Sequence, residues 1–456
     1  MVPNHSPWIH QLNRTRSVTP LDSNQKTDVV IVGGGIAGIS TAYFTLRDTN
    51  KDVVLVEADK VAHGATGHNA GQVASYFERP FSELVDEFGL ELAAAGQQSV
   101  ESAWTLIDEI ARDIGLATPI YRFTGYAGCS SLDQVLLQLK NNNLRIEGGL
   151  TPEAIHIANE WEGIEHIPPE YNHLYSLIPH KDLLALLNTY DSEYIASLSY
   201  QKGCMNSALF SEELAGYLLS TYPDRFKLFE DTKATIIALG KESVKVHTSK
   251  AVVMGKSVVL CTNGFENFVI RNESGPEIDT SFHHMVNGRI GYMAGYIQPL
   301  DSGPVAISYF PKGVGTLSDP TGEPYYYLTR RPHEEPGGES YNLVCAGGPD
   351  AVLPNQALYS RDSHCREDMK DRINEFLSST YAHYPREDIE YAFCWHGLMG
   401  YTPNGVRRIG TEPKNTSLLY NLGCNGVGIL PSLYGGKRIA EILKGVSVPA
   451  SIFDPN

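Results

Sequence analysis

The sequence has 456 residues, of which 42% are hydrophobic and 20% charged, and its formal net charge is −17 at pH 7. This length and composition indicate a globular protein of two joined domains. The negative charge argues against nucleic acid or an anionic membrane as a main partner, because either would need a basic face.

The N-terminal segment, residues 1–26, has no apolar run typical of a secretory signal. We expect an arm here that packs through Trp8, Ile9 and Leu12. The sequence contains no uninterrupted apolar stretch of about 18 residues, so we do not expect a membrane-spanning helix. The seven cysteines are scattered, odd in number and without a Cys-x-x-Cys pair. This pattern favours a reduced, cytoplasmic location and predicts no metal site.

Residues 27–57 have the pattern of a nucleotide-binding strand, helix and strand. A buried run, 29–32, leads into a Gly-x-Gly-x-x-Gly turn and an apolar helix, and a second apolar run, 53–56, ends at an acid. The glycines allow a tight turn, a close approach to a pyrophosphate and close packing of the helix, and the acid can accept hydrogen bonds from ribose. The predicted dinucleotide contacts are Gly33, Gly35, Ile36, Ala37, Gly38, Glu57 and Ala58.

The loop at 63–72 indicates which dinucleotide binds. A flavin needs backbone N–H groups near its N5 and O4 atoms, and small residues expose them. A nicotinamide-binding unit would not need such a loop. The predicted flavin contacts are Gly64, Ala65, Thr66, Asn69, Ala70, Gly71 and Gln72, with His68 nearby.

The string Gly64-Ala65-Thr66-Gly67-His68-Asn69-Ala70-Gly71-Gln72 resembles the D-amino-acid oxidase-like superfamily of FAD-dependent oxidoreductases, which includes glycine oxidase, sarcosine oxidase and dimethylglycine dehydrogenase. It looks most like the amine-oxidising branch typified by gamma-glutamylputrescine oxidase. The resemblance implies an α/β fold, with a Rossmann-like FAD-binding domain and a discontinuous antiparallel-sheet substrate domain. The expected bounds are an arm at 1–27, an FAD-binding domain at 28–115, 199–280 and 390–456, and a substrate domain at 116–198 and 281–389.

Between the motifs, periodicity predicts helices at 82–115, 130–143, 180–190, 211–221 and 361–381, and strands at 121–128, 257–260, 284–297, 325–329 and 341–345. The resemblance implies that the strand containing Ala234 meets the adenine. It also implies that Thr262, Asn263 and Gly264 close the FAD-binding sheet.

The block 394–431 resembles the superfamily's C-terminal signature, a glycine-rich turn before a final helix, here expected at 432–443. Such a helix N-terminus stabilises negative charge on a reduced flavin. The residues implied at the flavin are Gly397, Asn425, Gly426, Val427, Gly428 and Ile429.

Three departures from the superfamily pattern limit the substrate and the linkage. Met399 stands where amino-acid-oxidising members have a carboxylate-binding arginine, so an α-amino acid is disfavoured unless Arg289, Arg330 or Arg331 takes that role. Gly397 replaces the cysteine that carries the flavin in monomeric sarcosine oxidase. His68 aligns with the histidine that carries FAD in dimethylglycine dehydrogenase-like members, so non-covalent FAD is expected, with an 8α-histidyl link as the alternative.

The sequence therefore predicts an FAD-dependent enzyme that oxidises the C–N bond of an amine, with oxygen or another electron acceptor. His68, Tyr327, Trp395 and Tyr401 are the expected catalytic-site residues, the last three as an aromatic cage for the amine. The alternatives are an amino-acid or hydroxy-acid dehydrogenase, a NAD-dependent dehydrogenase and a flavoprotein subunit of a larger complex. The pattern does not determine the amine, the acceptor or the oligomeric state.

Overall fold

Helices and strands alternate along the chain in the computed structural model, which describes residues 3–263, 267–312, 325–335, 337–353, 358–385 and 389–455. The α-helices are α1 Pro7–His10, α2 Ile36–Asp48, α3 Phe81–Phe88, α4 Leu90–Ile114, α5 Leu132–Glu147, α6 His180–Leu186, α7 Ser207–Thr221, α8 Asp279–His283, α9 Glu367–Thr380 and α10 Ile429–Lys444.

The strands follow the same numbering along the chain. They are β1 Gln25–Lys26, β2 Val29–Val32, β3 Val53–Val56, β4 Gln72–Ala74, β5 Tyr121–Cys129, β6 Ala154–Ala158, β7 Ser176–Ile178, β8 Ala196–Cys204, β9 Phe226–Phe229, β10 Ala234–Leu239, β11 Val244–Thr248, β12 Val252–Gly255, β13 Ser257–Leu260, β14 Val269–Asn272, β15 Asn287–Gln298, β16 Val305–Phe310, β17 Tyr326–Glu334, β18 Ser340–Leu353, β19 Phe393–Tyr401, β20 Arg408–Thr411 and β21 Leu418–Leu422.

A six-stranded sheet of order β20-β21-β13-β2-β3-β9 forms the centre of the first layer. Strands β2 and β3 are buried at every position, as expected for parallel strands covered on both faces. Helices α2, α4, α7 and α10 pack on one face, and a five-stranded sheet of order β1-β12-β11-β10-β14 packs on the other. This is the predicted Rossmann-like arrangement.

A ten-stranded sheet of order β19-β15-β18-β17-β16-β5-β8-β6-β7, with β4 also paired to β8, forms the second layer. Its strands come from two separated stretches of chain, as the predicted discontinuous domain requires. Helix α9 covers one face near its centre. On the other face, Met293, Tyr327 and Trp395 pack with the helices of the first layer. The predicted α/β fold class is confirmed.

Several predicted elements differ from the observed ones for local reasons. The helix expected at 82–115 is two helices, because Gly89 between them has φ +78. Helix α7 begins at Ser207 rather than at residue 211, because Asn206 caps it by accepting hydrogen bonds from the N–H groups of Ala208 and Leu209. The sequence pattern did not predict β16. The domain bounds remain a prediction, and β8 and β19 pair within the ten-stranded sheet, although the bounds assign most of β8 and all of β19 to the FAD-binding domain.

Two cysteines are not in the reduced state that their scattered spacing favoured. Cys365 and Cys394 form a disulfide with their Cα atoms 6.0 Å apart, so the expectation of an entirely reduced set is wrong for this pair. The other five cysteines are free.

Candidate functional site

The glycine turn between β2 and α2 is as tight as its sequence predicts. Gly33 has φ +109, and a Cβ on Gly38 would lie 1.8 Å from the carbonyl oxygen of Gly33. Helix α2 starts without a side-chain cap from Gly35, and the N–H of Ile36 donates to Thr66 Oγ1 at 3.0 Å. A helix start of this kind presents N–H groups to an anion such as a pyrophosphate.

Glu57 follows β3 and lies beside this turn. Its carboxylate accepts hydrogen bonds from the N–H of Gly34 at 2.5 Å and from that of Asp59 at 2.9 Å. Burial raises the pKa of Glu57, while these two N–H groups favour the carboxylate. Ala58 is exposed next to it. The N–H of Thr232, two residues before Ala234, donates to the carbonyl of Glu57 at 2.8 Å. Glu57 and Ala234, the two predicted contacts to the adenosine, are therefore brought close together by this hydrogen bond.

Replacing Glu57 by alanine is expected to weaken FAD binding by about tenfold or more, because the ribose and two backbone N–H groups lose a charged acceptor. Titration of apoprotein with FAD, followed by flavin fluorescence, measures this. Glu242→Ala, at an exposed turn, is the control and should bind FAD as the parent does. Equal affinity of the Glu57 variant and the parent would contradict the assignment.

The predicted flavin loop, residues 63–72, is held by the side chain of Asn69. Its amide donates to the carbonyl of Thr66 at 2.7 Å and to Ser207 Oγ at 2.8 Å, and its Oδ1 accepts from the N–H of Gly71 at 2.6 Å. Gln72 is the last residue of the loop and the first residue of β4, which pairs with β8. Asn69 therefore fixes the loop backbone, whose N–H groups are the predicted flavin contacts.

His68 lies in this loop with Nδ1 3.0 Å from the carbonyl of Gly64. Burial lowers its pKa to about 4, so the imidazole is neutral at pH 7. The carbonyl of His68 lies directly against Gly397 of β19, where a Cβ would be 2.1 Å from the oxygen. The structure thus brings the loop at 63–72 and the C-terminal block together.

The turn before α10 completes this region. Asn425 has φ 46, and its Oδ1 accepts from the N–H of Thr402 at 2.8 Å. Asn263 joins the turn by accepting from the N–H of Cys424 at 3.0 Å. Helix α10 starts three residues earlier than predicted, at Ile429, directly after Gly428 and without a side-chain cap. Gly264 lies outside the described residues.

Helices α2 and α10 pack against each other, and the residues at both starts fit FAD. A Cβ on Gly436 of α10 would lie 2.9 Å from the backbone of Ser40 in α2. Uncapped N–H groups at one helix start suit the pyrophosphate, and those at the other, behind Val427 and Gly428, suit negative charge on a reduced flavin.

A cavity of about 100 Å³ lies next to the turn, and Tyr76, Glu78, Tyr200, Ser308 and Tyr325 are among its lining residues. Glu78 Oε1 accepts a hydrogen bond from the Tyr325 hydroxyl at 3.0 Å. A Cβ on Gly426 would lie 2.7 Å from the Glu78 carboxyl group. Burial raises the pKa of Glu78 to about 7. The cavity thus brings a partly buried acid against the turn that precedes α10.

None of the three aromatic residues of the expected cage, Tyr327, Trp395 and Tyr401, is among the residues that line this cavity. Glu78 acts electrostatically on both Tyr327 and Tyr401, and burial is the main cause of the raised pKa of each. Trp395 is fully buried, and its Nε1 donates to the carbonyl of Asn69 at 3.2 Å. Trp395 therefore supports the loop at 63–72 through Asn69 and does not form part of a cage.

The sequence pattern did not predict that residues of the N-terminal arm contact the flavin loop at 63–72. Trp8 is fully buried, and its Nε1 donates to the same carbonyl of Asn69 at 2.6 Å. Ser6 donates to the carbonyl of Gly67 at 2.5 Å, and Ile9 packs on Gly67. The predicted packing of Trp8 and Ile9 is found, but no motif indicated that they touch the flavin loop.

Among the described residues, no helix is long and apolar enough to span a membrane. No group of three or more His, Cys, Asp or Glu side chains among them is arranged to hold a metal ion.

Comparison with known proteins shows what this arrangement resembles. The family model for FAD-dependent oxidoreductases, called DAO, matches residues 28–442. The "probable oxidoreductase OrdL" of Haemophilus influenzae is 21% identical over 453 residues, which are 98% of this chain and 90% of that protein. Gamma-glutamylputrescine oxidoreductase of Escherichia coli is 32% identical over 88 residues, 19% of this chain and 20% of that protein.

A solved structure shows the same fold. The crystal structure of glycine oxidase from Geobacillus kaustophilus aligns with a TM-score of 0.66 and 14% sequence identity, over 94% of this chain and 98% of that one.

Proposed function

The chain belongs to the DAO family of FAD-dependent oxidoreductases, and from this we propose that it oxidises the C–N bond of an amino compound, a primary or secondary amine. One observation carries the proposal. The cavity that holds the partly buried carboxyl group of Glu78 and the hydroxyl of Tyr325 lies against Gly426, in the turn before α10. An acid among aromatic rings is the environment that a cationic amine prefers.

The cofactor supplies the redox chemistry, because FAD accepts a hydride when bound. The chain's own residues have three tasks in this proposal. The start of α10 offers N–H groups that stabilise negative charge, and Asn69 holds the loop that positions the ring. Tyr327 and the sheet behind it exclude water from the reacting carbon. The product imine leaves for hydrolysis by water.

An absorption spectrum of the purified protein, followed by anaerobic addition of a panel of amines, tests the function. We expect a yellow protein whose absorption band bleaches with at least one amine. Hydroxy acids serve as comparison substrates. Bleaching by hydroxy acids alone would overturn the proposed C–N chemistry, and absence of bleaching by every compound would favour a flavoprotein subunit of a larger complex.

Acid precipitation of the same sample tests the linkage. We expect the yellow colour in the supernatant, because His68 is proposed as a non-covalent contact. Its imidazole is neutral, since burial lowers its pKa to about 4. Colour that stays in the pellet of the parent protein and moves to the supernatant in His68→Ala would instead establish the histidyl link.

An amino-acid substrate is the second candidate. It keeps the same C–N chemistry. The buried Lys202, beside Ser308 of the cavity, favours it, although Met399 stands in place of the family's carboxylate-binding arginine. Oxygen and other electron acceptors both remain open, and comparison of turnover in air and with an artificial acceptor distinguishes them.

A further inference from the structure

Lys202 of β8 is a buried cation without an acidic partner. The residue has no solvent exposure. Its Nζ lies 3.3 Å from Gln72 Oε1 and 3.4 Å from Ser308 Oγ, which are both neutral. The rings of Tyr76 and Tyr200 are 5.5 and 5.2 Å from the same nitrogen. Within the described ranges no carboxylate lies within ion-pair distance of it. A buried ammonium in such a place is costly unless an anion joins it.

Glu78 is the matching anion, and its side chain is partly buried. Its one hydrogen bond among the described residues comes from the Tyr325 hydroxyl. No lysine or arginine of the described chain lies within ion-pair distance of its carboxylate. Lys202 and Glu78 nevertheless act on each other electrostatically, since Lys202 favours the charged form of Glu78 and Glu78 that of Lys202. The two opposite charges therefore share one site without forming a pair.

Both charges border residues predicted to contact the flavin. Lys202 contacts Gln72, the last residue of the loop at 63–72. Glu78 contacts Gly426, in the turn before α10. A ligand that reached both would therefore lie beside the flavin ring.

The arginines that could have bound a carboxylate are already engaged. Arg289 pairs with Asp350 at 3.2 Å and lies over the ring of Tyr401. Arg330 donates to the carbonyl of Gly303 and to the hydroxyl of Tyr381. Arg331 lies over the ring of Trp8. Arg330 and Arg331 also have no acid partner among the described residues, but their contacts are with Gly303, Tyr381 and Trp8. Lys202 instead lies beside Ser308, Tyr76 and Tyr200, which line the cavity.

We propose that Lys202 and Glu78 together bind a zwitterionic amino acid, with its carboxylate at Lys202 and its ammonium at Glu78. This rests on the proposed C–N oxidation and narrows the substrate from amines to amino acids. Glu78 also accepts the proton. An N–H bond of the substrate breaks and an O–H bond forms at the Glu78 carboxylate, which leaves the neutral amine that oxidation requires. The proton transfer itself involves no change of oxidation state.

The ionisation of the two groups supports this role. Burial lowers the pKa of Lys202 to about 7, and Glu78 and Glu153 oppose this. Burial raises the pKa of Glu78 to about 7, Tyr325, Lys202 and Arg289 oppose this, and Asp350 adds to it. A carboxylate should therefore bind more tightly as pH falls through 7, and an ammonium as pH rises through 7. A zwitterion needs both charges, so its affinity should pass through a maximum near pH 7.

Three small probes test the assignment on the FAD-loaded enzyme under anaerobic conditions. Propionate carries the carboxylate alone, ethylamine the ammonium alone, and alanine, in both stereoisomers, carries both. Binding is measured by the shift of the flavin's visible absorption, which needs no turnover. Lys202→Met should weaken propionate by about tenfold or more and ethylamine by much less, the smaller effect arising because Lys202 favours the charged form of Glu78. Glu78→Gln should do the reverse, and each change should weaken alanine.

Two controls accompany these variants. Lys202→Arg keeps the charge and should retain propionate binding. Lys227→Met removes a lysine whose Nζ contacts only Gln25 among the described hydrogen bonds, and it should leave all three affinities unchanged. If the variants at Lys202 or Glu78 lose FAD, the pH dependence of propionate and ethylamine binding to the parent protein decides the matter, with opposite slopes expected around pH 7.

Other outcomes overturn the assignment. Propionate that leaves the flavin spectrum of the parent unchanged, or that binds equally to Lys202→Met, would make Lys202 a structural cation. Parallel pH slopes for propionate and ethylamine would have the same meaning. Bleaching by amines without any propionate binding would keep the proposed function and reject this inference. Propionate binding at Lys202 without bleaching by any amino compound would reject the proposed function and keep Lys202 as a carboxylate-binding residue.

Discussion

Replacing Trp8 by alanine is expected to lower the free energy of unfolding by about 3–5 kcal/mol, the range for a buried tryptophan, and to release most of the FAD. The indole has no solvent exposure, donates to the carbonyl of Asn69 and meets Trp395 edge to face at 6.3 Å. A Cβ on Gly71 would lie 2.6 Å from its ring. Removal of the indole leaves a cavity under the loop and removes the shorter of the two indole hydrogen bonds to the carbonyl of Asn69.

Flavin content and thermal unfolding of the purified variant measure both parts of this effect. Trp161→Ala is the matched control, because Trp161 is only partly buried and packs against Gly163, outside the flavin loop. The control should keep full FAD content. A Trp8 variant with normal FAD content would show that the N-terminal arm stabilises the fold without supporting the cofactor site.

Gly397→Ala is expected to weaken FAD binding by about tenfold or more, because overpacking of about 1–3 kcal/mol falls on the loop itself. The added Cβ would lie 2.1 Å from the carbonyl oxygen of His68 and 3.2 Å from its carbonyl carbon. Both are backbone atoms, so no side-chain rotation relieves the contact. The loop must move away from β19, and the predicted N–H contacts to the flavin move with it.

Equilibrium titration of the apoprotein with FAD measures this effect. Gly216→Ala is the control, because nothing lies within 4 Å of a Cβ at Gly216 in α7. That change should leave FAD affinity unchanged and stabilise the helix slightly. Unchanged affinity of Gly397→Ala would mean that the loop adapts without cost and that the contact at His68 does not set the flavin position.

The dinucleotide turn was predictable because its physical requirements are local. Gly33, Gly38 and Glu57 act within one strand, helix and strand, and their spacing alone indicates the geometry. The start of α10 was displaced by three residues because Gly428, the residue before the helix, has no side chain that could cap it, and sequence-based helix starts depend on capping side chains.

Other features depend on contacts between residues far apart in the chain. Lys202 meets Gln72 only because β4 and β8 pair, and Glu78 reaches Gly426 across the site. Neither residue belongs to a motif. The sequence pattern did not predict β19, so it could not indicate that Trp395 faces Asn69. Cys365 and Cys394 are 29 residues apart, a spacing that indicates no pairing.

The shared hydrogen-bond acceptor of Trp8 and Trp395 has a spectroscopic consequence. These are two of the four tryptophans of the chain, and both point their Nε1 atoms at the carbonyl of Asn69. The emission of the protein therefore contains a natural reporter of the loop. Energy transfer to a bound flavin would quench these two indoles, so loss and uptake of the cofactor could be followed in unlabelled protein by ultraviolet fluorescence alone.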